Sequence, residues 1–172
     1  GAVIWRGAMA TSAIKQLYND VDWGELDYLL IDLPPGTGDI QLSLCQSMSL
    51  KGAVIVSTPQ EISLIDVRKS INMFKRVNVP ILGIVQNMSY FEIGGQKNYI
   101  FGKNGVTLEA KEQNLELLGD IPILPKIAES GDIGKPPTDN VTSEIFMIYN
   151  EIAEKTVNAL NKVKIKDVDI SS

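Results

Sequence analysis

The chain has 172 residues, 44% of them hydrophobic and 22% charged, which is enough apolar material for one domain with its own core. A net charge of −5 leaves no basic surplus to neutralise a phosphate backbone, so nucleic-acid binding is not expected and the partner should be a small molecule or a protein. With no histidine and a single cysteine, Cys45, the chain cannot use Ser/His/Asp or Cys/His catalysis, imidazole metal sites, an internal disulfide or a CxxC site. Its apolar runs fall far short of the ~20 residues that cross a bilayer, and no basic-then-apolar segment opens it, so a soluble, cytoplasmic protein without a membrane partner is expected.

In chain order, a helix is expected over 9–19. DYLLID (27–32) then reads as a strand buried on both faces, followed by a helix over 39–48 in which Cys45 packs beside Leu42, Leu44 and Met48 as a small hydrophobe. GAVIVST (52–58) and PILGIVQN (80–87) are further buried strands, and DIPIL (120–124) is a weaker one. Between the first two of these lies Thr58-Pro59-Gln60-Glu61, which has the form of a capping box with proline at the first helical position. Leu64, Val67, Ile71 and Phe74 follow at helical spacing. A helix over 105–118 is closed by Gly119, and Ile145, Ile148 and Ile152 mark one face of a C-terminal helix. Residues 89–105 carry four glycines and four aromatics and predict an ordered excursion, 129–140 a second loop, and 164–172 a tail behind one domain at 1–163. Strands alternating with helices specify an α/β fold with a mostly parallel sheet flanked by helices.

In such sheets ligands bind beyond the carboxyl ends of the strands, where Asp32 ends its run. A carboxylate there commonly holds Mg²⁺ through water while the metal bridges nucleotide phosphates. In the PPGTGD that follows, Gly36 and Gly38 would let backbone N–H groups face a γ-phosphate, whereas Asp39 reads equally well as the N-cap of the next helix. The cradle is missing, because no GxxxxGK[ST] occurs anywhere in the sequence.

WGELDYLLIDLPPGTGDIQLSL, GAVIVSTPQEISLIDVRKSINMF, VPILGIVQNMSYF and ESGDIGKP together resemble the Mrp/ApbC family of P-loop ATPases, relatives of MinD and ParA that carry or assemble iron–sulfur clusters. The QNMS at 86–89 resembles the mitochondrial branch that serves respiratory complex I assembly. By that resemblance Asp32 supports Mg²⁺, Gly36, Gly38 and Asp39 belong to a catalytic switch over the γ-phosphate, Asn87 hydrogen-bonds adenine, and Pro122 and Ile123 pack near the base. It implies ATP and Mg²⁺ as cofactors, a homodimer, and iron–sulfur apoproteins as recipients. A MinD/ParA-like regulatory ATPase that binds no cluster is the alternative, and a domain that keeps only the fold is a third.

The sequence departs from the family in two places. It starts after the segment that carries the P-loop, so the parent would be an ATPase while this chain alone should not hydrolyse ATP. It also has EIGGQKNY where the family usually has a CPxC pair, so thiolate ligation of a bridging cluster at that place is not possible. In proteins of this type the strand entering the P-loop lies between the strands matching 27–32 and 52–58. Without it, either those two strands pair directly, which is the favoured expectation, or a segment of a second copy fills the slot.

Overall fold

The computed structural model describes residues 7–34 and 36–163, with only the backbone described for Gly7, Ala8 and Ala10. A parallel sheet of three strands forms its centre, in the order β1 (Ala53–Ser57), β2 (Ile81–Gln86), β5 (Leu117–Asp120). A short antiparallel hairpin, β3 (Phe91–Ile93) with β4 (Gln96–Asn98), rises after β2. Six helices accompany the strands among the described residues: α1 (Gly7–Asn19), α2 (Asp39–Ser47), α3 (Glu61–Arg76), α4 (Gly105–Glu112), α5 (Pro125–Asp132) and α6 (Glu144–Lys162). The expected α/β class with a parallel sheet is the observed one.

Successive β2 residues face opposite sides of the sheet, and each side has its own core. Ile84, fully buried, joins Ile55 and the α3 residues Leu64, Val67, Ile71 and Phe74, with Cys45 of α2 and Val106 and Ala110 of α4. Val85, on the other side, joins Leu118 and Ile121 beneath Ile148, Tyr149 and Ile152. The helical stripes predicted for α3 and α6 are therefore the faces that pack. Glu61 in the first turn of α3 and Lys75 and Arg76 in its last also complement the helix dipole.

Several expectations shift. The 105–118 helix ends at Glu112, because Asn114 takes a left-handed conformation (φ 54°) and the Leu115 N–H turns back to the Ala110 carbonyl, which frees 117–120 to be the strand. Gly119 is thus not a helix stop. It sits where α6 lies so close that a Cβ would come within 2.5 Å of Ile152. The 120–124 run continues beside β2 as an extended strip, and of the second expected loop residues 129–132 are the end of α5. The capping box does not form. Thr58 Oγ1 bonds Ser63 Oγ (2.7 Å) and donates to Gln60 Oε1 (2.9 Å), so α3 begins only at Glu61 with Gln60 as its cap. The 89–105 excursion is ordered, and it contains the hairpin. The predicted tail at 164–172 lies outside the described residues.

The largest correction concerns 27–32. It is not a strand, and the single partner of β1 among the described residues is β2, so the favoured direct pairing is absent. Closure would be required only if these backbone groups were buried, but residues 19–30 are exposed throughout, with Leu30 91% exposed, so their N–H and C=O groups are open to water. Within this single chain the outer edge of β1 has no strand partner among the described residues, and Val54 and Val56, on the sheet face opposite Ile55, are exposed. The segment is anchored only at its end, where Leu33 reaches the core beside α2.

Candidate functional site

Parallel register brings Ser57, Gln86 and Asp120 into one row at the carboxyl ends of β1, β2 and β5. The chain leaving β2 runs over this row. Asn87 donates its backbone N–H to the Ser57 carbonyl (2.7 Å), and its Oδ1 accepts the Met88 N–H (2.9 Å). Its Nδ2 has no partner among the described residues, so the amide keeps two donors and an oxygen lone pair for a ligand. Met88 is held left-handed (φ 53°), an uncommon conformation for a long side chain and one of the strained kinds that gather at functional sites. Ser89, 1% exposed, fixes the turn from below by donating both its N–H and its Oγ to the Ile121 carbonyl at 3.0 Å.

Pro122 and Ile123 lie in the strip alongside. Pro122 is buried, and the half-buried Ile123 donates its N–H to the Tyr90 carbonyl (2.7 Å), so the structure brings both next to the 87–90 turn. Beside Asn87 a recess of about 310 Å³ opens between β1 and α3, with the polar side chains of Ser57, Thr58, Ser63, Asp66 and Ser70 on its walls.

The other four residues lie elsewhere in the chain. Asp32 is exposed at the end of the unpaired segment, and Gly36, Gly38 and Asp39 form the approach to α2. Gly36 has φ 96°, a value glycine alone adopts readily, and Gln41, 5% exposed, turns back to donate its Nε2 to the Pro34 carbonyl at 3.1 Å. Asp39 is not an N-cap, since Gly38 holds that position and Asp39 lies in the first turn, where a carboxylate suits the helix dipole. Among the described residues no hydrogen bond joins this loop to the Asn87 turn, and no cluster of three metal-ligating His, Cys, Asp or Glu residues exists.

Three polar features escaped sequence reasoning. Gln86, 3% exposed, donates Nε2 to Asp120 Oδ1 (2.6 Å) while its Oε1 accepts the Val106 N–H (3.2 Å). The available signal was an amide ending an otherwise apolar run. Asp120 retains an exposed side, yet desolvation holds its carboxyl above the usual range, outweighing the lowering effects of the Gln86 hydrogen bond and of Lys97 and Lys155. Arg68 binds Glu109 Oε2 through Nε (2.8 Å) and Nη2 (2.7 Å) and Glu61 through Nη1 (2.9 Å), tying α3 to α4. The Glu109 and Glu61 hydrogen bonds raise the guanidinium pKa further.

The residues present do not fit a cluster. Cys45 is 3% exposed in the core, and burial pushes its thiol up, away from the thiolate a cluster needs. The hairpin after Asn87 offers instead Tyr90 and Tyr99 in edge contact (6.3 Å), with Lys97 Nζ 4.0 Å from the Tyr90 ring centre.

A ParA family model described as the NUBPL iron-transfer P-loop NTPase matches residues 1–157. The mouse iron-sulfur cluster transfer protein NUBPL is 47% identical over 161 residues, covering 92% of this chain and 50% of its own length. The Aquifex aeolicus iron-sulfur cluster carrier protein is 43% identical over 166 residues, 91% of this chain and 46% of its own. An Arabidopsis thaliana protein described as a mitochondrial iron-sulfur protein required for NADH dehydrogenase is 42% identical over 165 residues, 94% of this chain and 53% of its own. The chain therefore spans about half the length of the curated relatives it matches. Among solved structures, an Archaeoglobus fulgidus nucleotide-binding protein in complex with ADP superposes with TM-score 0.70 at 40% identity, covering 80% of this chain and 57% of that one. A Pyrococcus furiosus cell division ATPase MinD superposes with TM-score 0.63 at 24% identity over 92% of this chain and 63% of that one, a likeness of fold.

Proposed function

This chain belongs to the ParA family of NUBPL-type iron-transfer P-loop NTPases, and from that premise we propose that it is the base-binding part of an ATP-dependent iron–sulfur cluster carrier. The observation that carries the reading is the Asn87 amide, placed beyond the carboxyl end of β2 with its Nδ2 unpartnered beside the recess. An amide so placed can both donate to and accept from the edge of an adenine. The half-buried Ile123 supplies apolar surface next to it, while Pro122 is buried and offers little.

Asp32 is the residue that would sit beside Mg²⁺, with the Gly36–Asp39 loop as the switch over the γ-phosphate. The phosphates themselves would be held by a P-loop, which this sequence does not contain. Mg²⁺ would supply neutralisation of phosphate charge. The cluster is cargo for recipient apoproteins, and its thiolate ligands would come from outside the hairpin. A homodimer is part of the reading, because the free edge of β1, with Val54 and Val56 exposed on the adjoining sheet face, is a surface that a second copy can cover. The chain would work in an aqueous compartment: the cytoplasm that its composition suggests, or the mitochondrion named for the Arabidopsis relative.

A second reading, a MinD/ParA-like regulatory ATPase that handles no cluster, is favoured by one observation, the burial of the single cysteine. Anaerobic reconstitution separates the two, since only the carrier reading expects a protein-bound visible absorption band in the P-loop-bearing protein. For the base site, Asn87→Ala in that protein should weaken ATP binding by about 1–2 kcal/mol, the scale of a lost hydrogen bond and its desolvation. An unchanged ATP titration removes Asn87 from the site.

A further inference from the structure

Gln86 is buried directly beneath the Asn87 turn and uses both ends of its amide on different elements. Its Nε2 donates to Asp120 Oδ1 at 2.6 Å, at the end of β5, and its Oε1 accepts the Val106 N–H at 3.2 Å, in the first turn of α4. That second bond fills a gap. The α4 cap residue, Asn104, is left-handed (φ 64°) and makes no side-chain cap bond, so a helix-start N–H that would be an orphan is satisfied by Gln86 instead. The backbone of Gln86 is gripped too, its carbonyl accepting the Ile121 N–H at 2.8 Å, and Ile121 in turn receives both bonds from Ser89. One residue therefore connects β2, the 121–123 strip and α4 at the point where the chain turns left-handed.

We propose that Gln86 is a positioning residue for this strand-end site, its amide locking Asp120 and α4 so that Met88 stays left-handed and Asn87 presents its Nδ2 outward. The consequence for a base rests on the reading of Asn87 above, but the lock itself does not. No other side chain of this shape supplies both bonds at neutral pH. A glutamate would keep the bond from Val106 but set a carboxylate against the Asp120 carboxylate, and the contact survives only if the pair shares a proton. A leucine supplies neither.

The charges facing the pair are Lys97 on β4 and Lys155 on α6, the latter bound to Glu151 at 2.7 Å. On the other sides Ser57 of β1 and Val106 of α4 carry no charge, and Glu109, one turn along α4, is held by Arg68 and Gln113. Two lysines lower the pH at which a Gln86→Glu pair gives up its shared proton, but neither replaces the donor.

The test is NMR of the full chain without nucleotide, reading the Met88 backbone coupling constant and Cα shift, which report φ, together with the Asn87 side-chain NH₂ pair. At about pH 8, Gln86→Glu should lose the left-handed Met88 signature and shift the Asn87 pair, while the methyls of Ile71 and Leu118 stay in place. At about pH 5, where the two carboxyls share a proton, the wild-type spectrum should return. Asp120→Asn, which keeps the acceptor oxygen, should match wild type at both pH values. Asp120→Ala, at a partly exposed position that tolerates truncation, should reproduce the high-pH glutamate spectrum at both. A Met88 signature that survives in Gln86→Glu at about pH 8, or in Asp120→Ala, would overturn the proposal, and because no nucleotide is present the result is independent of whether Asn87 meets a base.

Discussion

DYLLID (27–32) and ILGIVQ (81–86) are written in the same alphabet: short, apolar on both faces and followed by a polar turn. Their fates are opposite. Ile84 is 0% exposed, between α3 on one face and parallel neighbours on both edges, whereas Leu30 is 91% exposed on a segment with no ladder at all. The difference teaches that an apolar run specifies only a readiness to be a strand. Formation requires neighbours to take its backbone hydrogen bonds and a helix to cover its face. β2 has both. The 27–32 run has neither, and β1, with one partner and one free edge, lies between the two cases.

The contrast should appear first and most strongly in stability. Ile84→Ala leaves a cavity in the larger core and should cost about 2–5 kcal/mol in urea unfolding, while Leu30→Ala should stay within about 0.5 kcal/mol. Comparable losses at both positions would erase the distinction. A smaller effect is expected between α3 and α4. Arg68→Ala strands Glu109, whose side chain is 1% exposed, and should lower the melting temperature clearly, whereas Lys69→Ala, which breaks the exposed pair with Asp66, should leave it nearly unchanged.

Asp120 should give the smallest change, and its direction follows from linkage. Its pKa is raised in the folded state chiefly by desolvation, so the native protein holds that proton more tightly than the unfolded chain does. The associated stability is complete below the ordinary carboxylate value and is lost as pH rises through the raised one. Asp120→Asn keeps the bond from Gln86 and cannot ionise. It should therefore gain stability relative to wild type as pH rises through that window, and an opposite slope in paired melting curves would show that the group is not desolvated.

The same contrast explains what could be read in advance. Residues 52–58 and 80–87 were legible as strands because their apolar pattern coincides with real neighbours on the sheet, and the stripes of α3 and α6 because each meets one face of it. Asn87 was singled out by family resemblance, and the structure places it just past the end of β2, where α/β sheets commonly bind ligands. Gln86–Asp120 and Arg68–Glu109 were not legible, since their partners are 34 and 41 residues apart and no local spacing announces them. The helix limit at 112 was missed because Asn114 rather than a glycine supplies the left-handed stop. The 27–32 segment was misread because neighbours, not the segment alone, decide, and among the described residues this run has no ladder partner.

Hydrogen–deuterium exchange of the full chain, followed residue by residue at low protein concentration, tests this division most directly. The amides of Gly83–Gln86 should be among the slowest in the protein, and those of Tyr28–Asp32 should exchange close to the rate of an unstructured peptide. Slow exchange at Tyr28–Asp32 in a monomer would contradict the account, because it would mean that this run pairs after all and that the edge of β1 is not free.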